Sequence, residues 1–103
     1  MSGGFFSHKD SHIDQIADDI EQLIRNNDST EVSQWGDKIG HGFTVDTLYE
    51  FRKALDHLRY ARAYVRRIDY LLSGDDSEDS FQKNLDQDLA KTTAWIMREL
   101  NEQ

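Results

Sequence analysis

Residues 44–72, TVDTLYEFRKALDHLRYARAYVRRIDYLL, contain neither Gly nor Pro. Within them Phe51, Ala54, Leu58, Ala61, Val65, Ile68 and Leu72 follow one another at spacings of three and four. That is the repeat of one face of a helix. Leu48 and Leu55 widen the stripe, and Thr44 is a good N-cap residue. At about 1.5 Å per residue the helix would be on the order of 42 Å long, whereas a globule of this size has a radius of gyration of roughly 13 Å. Such a rod needs a partner along its length, either the last helix or another subunit. The small Ala54 and Ala61 would let that partner approach closely. Self-association into a homo-oligomer through this helix is expected.

The other elements arrange themselves around that rod. Residues 1–9 form an arm in which Gly3 and Gly4 disfavour regular structure. Phe5 and Phe6 would dock the arm on its own core or on a neighbouring subunit. A first helix is expected over 10–26, with Ser11 and Asp14 resembling a capping box. Ile13, Ile16, Ala17, Ile20, Leu23 and Ile24 fall on one face of it. Asn26 and Asn27 are stop signals because Asn tolerates the left-handed conformation. Residues 28–43 are irregular. Asp28 and Glu31 would cap a short helical turn carrying Val32 and Trp35, and Gly36, Gly40 and Gly42 break anything longer. Trp35, Ile39 and Phe43 are expected to pin this segment to the core. Ser73-Gly74 ends the long helix, with Gly just past its C-terminus. The final helix, 77–101, starts at Ser77, has Glu78 and Asp79 in its first turn to complement the helix dipole, and buries Phe81, Leu85, Leu89, Thr92, Ile96 and Leu100. Trp95 lies beside that stripe. The short acidic connection makes the last two helices an antiparallel hairpin. The fold class is therefore an all-α, three-helix bundle in a single domain of 103 residues.

Charge narrows the function classes. Twelve basic and twenty acidic residues give a net charge of −8, and an acidic chain is a poor ligand for duplex nucleic acid. The charge is unevenly spread. Residues 49–70 carry Arg52, Lys53, Arg59, Arg62, Arg66 and Arg67 against Glu50, Asp56 and Asp69, a balance of +3, which leaves −11 for the rest. There are no cysteines, hence no disulfides and no thiolate metal site. No apolar run reaches the roughly 18 residues of a bilayer span. The opening MSGGFFSHKD lacks a basic stretch followed by an apolar one, so no secretory leader is expected and the cytoplasm is the default compartment.

The opening MSGG-x-F, the segment WGDKIGHGF and above all RIDYLLSGDDSEDSFQKNL resemble a group of small proteins encoded in bacteriophages and prophages. Members open with MSGG and an aromatic and carry a variant of R-I-D-[WY]-L-L-S-G-D-D-x-E-[DE]-S-F. The match covers nearly the whole chain, with the SGDD stretch its most specific part. The resemblance implies a viral or prophage origin, and so the cytoplasm of a host cell. It carries over no activity and no catalytic residues.

Four constellations bear on chemistry. His8 and His12 are spaced as zinc ligands on a helix face, but Lys9 stands where HExxH has its glutamate. Exposed or capping histidines explain them more simply, and no metal or other cofactor is expected. Asp18-x-x-Glu21 and Asp76-x-x-Asp79 approximate the paired carboxylates with which small all-helical nucleotide pyrophosphatases hold magnesium. Capping accounts for the second pair equally well. Gly40-His41-Gly42 leads into a helix N-terminus, where free N–H groups attract anions. It lacks the Gly-Lys-Ser/Thr ending of a P-loop, and a tight turn explains it too. The strongest is the outer face of the long helix, where Tyr49, Lys53, Tyr60, Tyr64 and Arg67 recur near helical spacing beside Arg52, Arg59, Arg62 and Arg66. Guanidinium forks grip phosphate and phenol rings stack on bases. The competing explanation is that these arginines pair with the acids of the first and last helices, or within the helix as Arg52–Asp56 and Arg66–Asp69.

These observations favour a non-enzymatic binding protein, an inhibitor of a host defence system. It would act either by charge mimicry against a host protein or by sequestering a small anionic nucleotide with Arg52, Lys53, Arg59, Tyr60, Arg62, Tyr64, Arg66 and Arg67. A magnesium-dependent nucleotide hydrolase and a structural subunit are the alternatives.

Overall fold

The structure, a computed structural model, describes residues 6, 7 and 9–101, with side chains up to Glu99. The chain is all-α, with α1 (Ser11–Arg25), α2 (Val45–Leu72) and α3 (Glu78–Asn101) in that order. The long helix is unbroken. Thr44 caps it, its hydroxyl accepting from the backbone N–H of Thr47 at 3.3 Å, which satisfies one of the donors that a first helical turn leaves free.

Both α1 and α3 pack on α2 and, among the described residues, not on each other. Both pairings are antiparallel. Along α1, Arg62 meets Asp14 and Arg59 meets Glu21. Along α3, Arg67 meets Asp88, Tyr60 meets Thr93 and Arg52 meets Glu99. In each series the number rises on one helix as it falls on the other. The product is a flat layer with α2 in the middle, 51 × 30 × 18 Å, with a radius of gyration of 17.1 Å.

The core is small. Among the described residues the buried apolar side chains are Ala17, Leu55, Ala63, Leu85 and Ile96. Of the face expected on α3, Leu85 and Ile96 are buried and Phe81, Leu89 and Thr92 half-buried, while the Leu100 side chain lies outside those described. α1 buries Ala17 and half-buries Ile13, Ile20 and Ile24, while Ile16 and Leu23 are exposed. α2 departs most from expectation. No member of its heralded stripe is fully buried: Ala54 and Leu72 are exposed, and Phe51, Leu58, Ala61, Val65 and Ile68 are half-buried. The buried seam runs instead through Leu55, Arg59 and Ala63. Apolar periodicity misses such a seam because an arginine whose charge is met by carboxylates can take an interior position.

Four local expectations are corrected. No Ser11 capping box opens α1: Ser11 is already helical and the cap position is Asp10, whose side chain makes no capping bond. Asn26 ends α1 at φ −95°, so no left-handed stop is used. Residues 28–43 hold no helical turn but a minute hairpin closed by an antiparallel bridge between Val32 and Lys38. Trp35 rides near its tip at 79 % exposure, so it does not pin the segment. Asn27 and Phe43 do. The buried Asn27 donates from Nδ2 to the Phe43 carbonyl at 3.0 Å and accepts the Phe43 N–H on Oδ1 at 2.8 Å. The Phe43 ring stacks on His41 and meets Phe51 edge-on, centroids 5.1 and 5.5 Å away. Gly40 is buried here, where a Cβ would lie 2.5 Å from the Ser29 carbonyl oxygen and 2.7 Å from those of Asn26 and Asn27.

The α2–α3 connection follows expectation and explains its sequence. Gly74 takes φ +85°, the left-handed residue after a helix. Ser77 and Ser80 cap α3 reciprocally, the Ser77 hydroxyl accepting from the Ser80 N–H at 3.2 Å and the Ser80 hydroxyl from the Ser77 N–H at 2.9 Å. The nearly buried Asp76 carboxylate accepts from Arg67 and Asn84, both at 3.1 Å, and from the Ser80 hydroxyl at 3.4 Å. Thus the RIDYLLSGDDSEDSF stretch builds the hairpin.

Backbone crowding at Gly40 should cost more than left-handed strain at Gly74. Gly40→Ala is expected to destabilise by about 2–3 kcal/mol through overpacking, and Gly74→Ala, in open space, by about 1–2 kcal/mol. Urea unfolding checks the order; a smaller loss at Gly40 would contradict it.

Candidate functional site

Arg59 is the most enclosed of the residues singled out on the long helix, at 5 % exposure. Its guanidinium takes both oxygens of Glu99 on α3, Nη1 to Oε2 and Nη2 to Oε1 at 3.0 Å. Nη2 also reaches Glu21 Oε2 on α1 at 3.4 Å. The Trp95 indole lies over it, 4.1 Å from Cζ to ring centroid, a cation–π contact that also screens the group from water. Arg52 approaches Glu99 at 3.7 Å, and Arg25 binds Glu21 at 2.7 Å. Arg59 and Arg52 are therefore joints between helices, and no ligand needs their charge. The bidentate geometry is why Arg, and not Lys, suits this position.

A different group gathers at one cleft between α2 and α3, about 230 Å³ in volume. Arg62, Arg66 and Arg67 of α2 line it with Lys91 of α3, together with Tyr70, Asp88, Thr92 and Ala63. Four cations face one carboxylate there. Arg67 is held by Asp76 at 3.1 Å and Asp88 at 2.7 Å, and Arg62 by Asp14. The Nε donors of Arg62 and Arg67 lie against those carboxylates without hydrogen-bond alignment. Arg66 and Lys91 are exposed and, among the described residues, form no ion pair. Tyr70 organises the cleft wall. Its ring sits 4.6 Å from the Arg67 Cζ, and its hydroxyl accepts from Arg66 Nε at 3.2 Å. That hydrogen bond raises the Arg66 pKa above its ordinary value, with help from the charges of Asp88 and Asp10 and against partial burial. Arg66 is a fixed cation at every accessible pH.

The remaining candidates lie apart. Lys53 pairs with Glu50 at 3.1 Å and stands over the Tyr49 ring at 5.1 Å. The Tyr60 hydroxyl bonds Thr93 Oγ1 at 2.6 Å. Tyr64 is exposed. Among the described residues the expected Arg52–Asp56 and Arg66–Asp69 pairs do not form: Arg52 turns to Glu99, and Arg66 bonds Tyr70 one turn along the same helix. The single Arg/Tyr face read from spacing is thus three separate places. Sequence reasoning misses Lys91 and Thr92 as site residues, because nothing in helical spacing on α2 reveals which α3 residues will face it, and it misses Tyr70 because that residue lies off the Tyr49–Arg67 row.

The other constellations resolve locally. Glu21 and Asp76 are committed to arginines, and among the described residues no three His, Cys, Asp or Glu side chains are grouped to hold a metal ion. His8 of the His8–His12 pair, like Phe5, lies outside the described residues. Phe6 is half-buried, and its N–H donates to Asp69 of α2 at 3.2 Å. At the Gly40-His41-Gly42 turn the N–H groups of Gly42 and Phe43 are already taken by Asn27. No helix among the described residues is long and apolar enough to cross a membrane. No protein-family model matches the chain, and no curated protein and no solved structure matches it significantly.

Removing the Arg59 charge leaves Glu21 and Glu99 facing each other without it. Arg59→Met is expected to cost about 3 kcal/mol in urea unfolding, as for a broken interior ion pair, whereas Lys53→Met, whose pair is exposed, should change stability by less than about 0.5 kcal/mol. Equal effects would contradict the assignment of Arg59 as a structural joint.

Proposed function

We propose that this chain is a non-enzymatic, phage-type binding protein that inhibits a host defence system by sequestering a small anionic nucleotide, its phosphates held in the α2–α3 cleft. One observation carries the reading: a chain of net charge −8 concentrates Arg62, Arg66, Arg67 and Lys91 around one small cleft. Arg66 and Lys91, the two without ion pairs among the described residues, are the natural phosphate ligands: a planar fork that can take two oxygens and a compact point charge. A volume of about 230 Å³ suits the phosphate end of a nucleotide with its base outside. The phage-type part rests on the resemblance of the MSGG opening and the RIDYLLSGDDSEDSF stretch. Host-protein binding by charge mimicry is a second reading, favoured by the many exposed acids, among them Asp18, Asp19, Asp75, Glu78, Asp79 and Asp86.

Calorimetric titration and thermal shift with nucleoside di- and triphosphates test the first reading. Binding should weaken about tenfold or more, roughly 1.4 kcal/mol, in Arg66→Ala and in Lys91→Ala, should be unchanged in Arg98→Ala, and should leave the nucleotide intact. No binding across the panel, with capture of a host protein that weakens steeply with salt, would decide for mimicry. Magnesium-dependent turnover lost on changing Asp18 or Glu21 would overturn both.

A further inference from the structure

The apolar stripe of α2 is only partly covered by its own chain, with Ala54 and Leu72 exposed. At about 100° per residue, Ala54, Ala61, Ile68 and Leu72 lie on the far side of the cylinder from the buried Ala63. α1 and α3 grip α2 on that buried side, through Arg59, Arg62, Arg67 and Tyr60. What remains outside is a face with Ala54, His57, Tyr64 and Leu72 exposed and Ala61, Val65 and Ile68 half-buried. Its spacing is a strict heptad over three repeats, with Phe51, Leu58, Val65 and Leu72 in one position and Ala54, Ala61 and Ile68 in the other. That is the seam of a coiled coil, and among the described residues no helix of this chain covers Ala54 or Leu72.

We infer that this face is a dimer interface with a second copy of the chain, α2 packing antiparallel on the partner's α2 about an axis near Ala61. Three observations select this occupant. A heptad seam is self-complementary. An antiparallel arrangement centred on Ala61 sets the small Ala54 of one copy opposite the large Ile68 of the other, because their numbers are equidistant from 61. A parallel arrangement would set Ala54 and Ala61 each against its own copy and leave half the seam thin. The accessible surface is the third. At 7485 Å² it exceeds the roughly 6,000 Å² of a folded 12.0 kDa monomer, so this flat layer leaves more surface uncovered than a compact monomer does. The seam lies on the opposite side of α2 from Arg59, and its test does not depend on nucleotide binding.

Sedimentation equilibrium of the intact chain should give a mass of about 24 kDa, twice the 12.0 kDa of the monomer. Ala61→Arg should give the monomer with its far-UV helix signal kept, and Val45→Asp, at an exposed residue outside the heptad, should leave the dimer intact. Because the chain has no cysteine, single cysteines test the geometry even should Ala61→Arg fail to fold. Ala61→Cys should oxidise to a covalent dimer and Ala54→Cys should not, since antiparallel helices hold the two copies of residue 54 roughly 20 Å apart at 1.5 Å per residue. A monomer at all concentrations overturns the interface, and ready cross-linking at position 54 overturns its antiparallel form.

Discussion

The arrangement of the three helices depends on Arg59. α1 and α3 do not pack on each other among the described residues, yet one guanidinium on α2 is bonded to a carboxylate from each and roofed by Trp95. With so few apolar side chains buried, hydrophobic area alone would leave the angle of α1 and α3 around α2 poorly specified. Removing the charge leaves Glu21 only Arg25 and Glu99 only the longer contact to Arg52, and removing both carboxylates strands a buried charge; both are costly where water is excluded. The network therefore acts as a register device, and Arg52 and Arg25 extend it to the ends of the shared segment.

The same helix thus has two working sides. Its inner side is cationic and mostly spent on internal pairs, at Arg59, Arg62 and Arg67, but Arg66 forms no ion pair among the described residues, and there α3 contributes Lys91 and the cleft opens. Its outer side is the apolar heptad. A flat layer three helices wide leaves a central helix covered on its flanks and partly open above, and this geometry gives a 103-residue chain both a cleft and a partly exposed seam. The acidic hairpin between α2 and α3 serves the cleft indirectly: Asp76 holds Arg67, which supports the Tyr70 ring against which Arg66 is set.

Much of this was legible in the residues alone. Thr44 and Gly74 mark the ends of the long helix through well-understood backbone chemistry, and Ser77 marks the start of α3. The apolar stripe was legible as well, but not which way it faces. Hydropathy ranks Arg below Leu, so the stripe through Ala54 and Ala61 looks like the core and the seam through Arg59 looks like the surface. The structure buries Arg59 and leaves Ala54 exposed because Glu21 and Glu99 arrive from elements distant in sequence. Trp35 misleads for a related reason: a large aromatic is usually buried, but this one sits near the tip of a hairpin too small to fold back. Asn27, which pins that segment, is inconspicuous in sequence because its bonds to Phe43 cross sixteen positions.

The account turns on a coupling between α1 and α3 that passes through Arg59. A double-mutant cycle in urea unfolding of Glu21→Gln and Glu99→Gln measures it directly. Either change alone leaves the guanidinium one carboxylate, and both together leave it none. The double variant should lose more stability than the two single losses combined, by about 1 kcal/mol, and the excess should vanish in an Arg59→Met background. Strictly additive losses, or an excess that survives without Arg59, would contradict it.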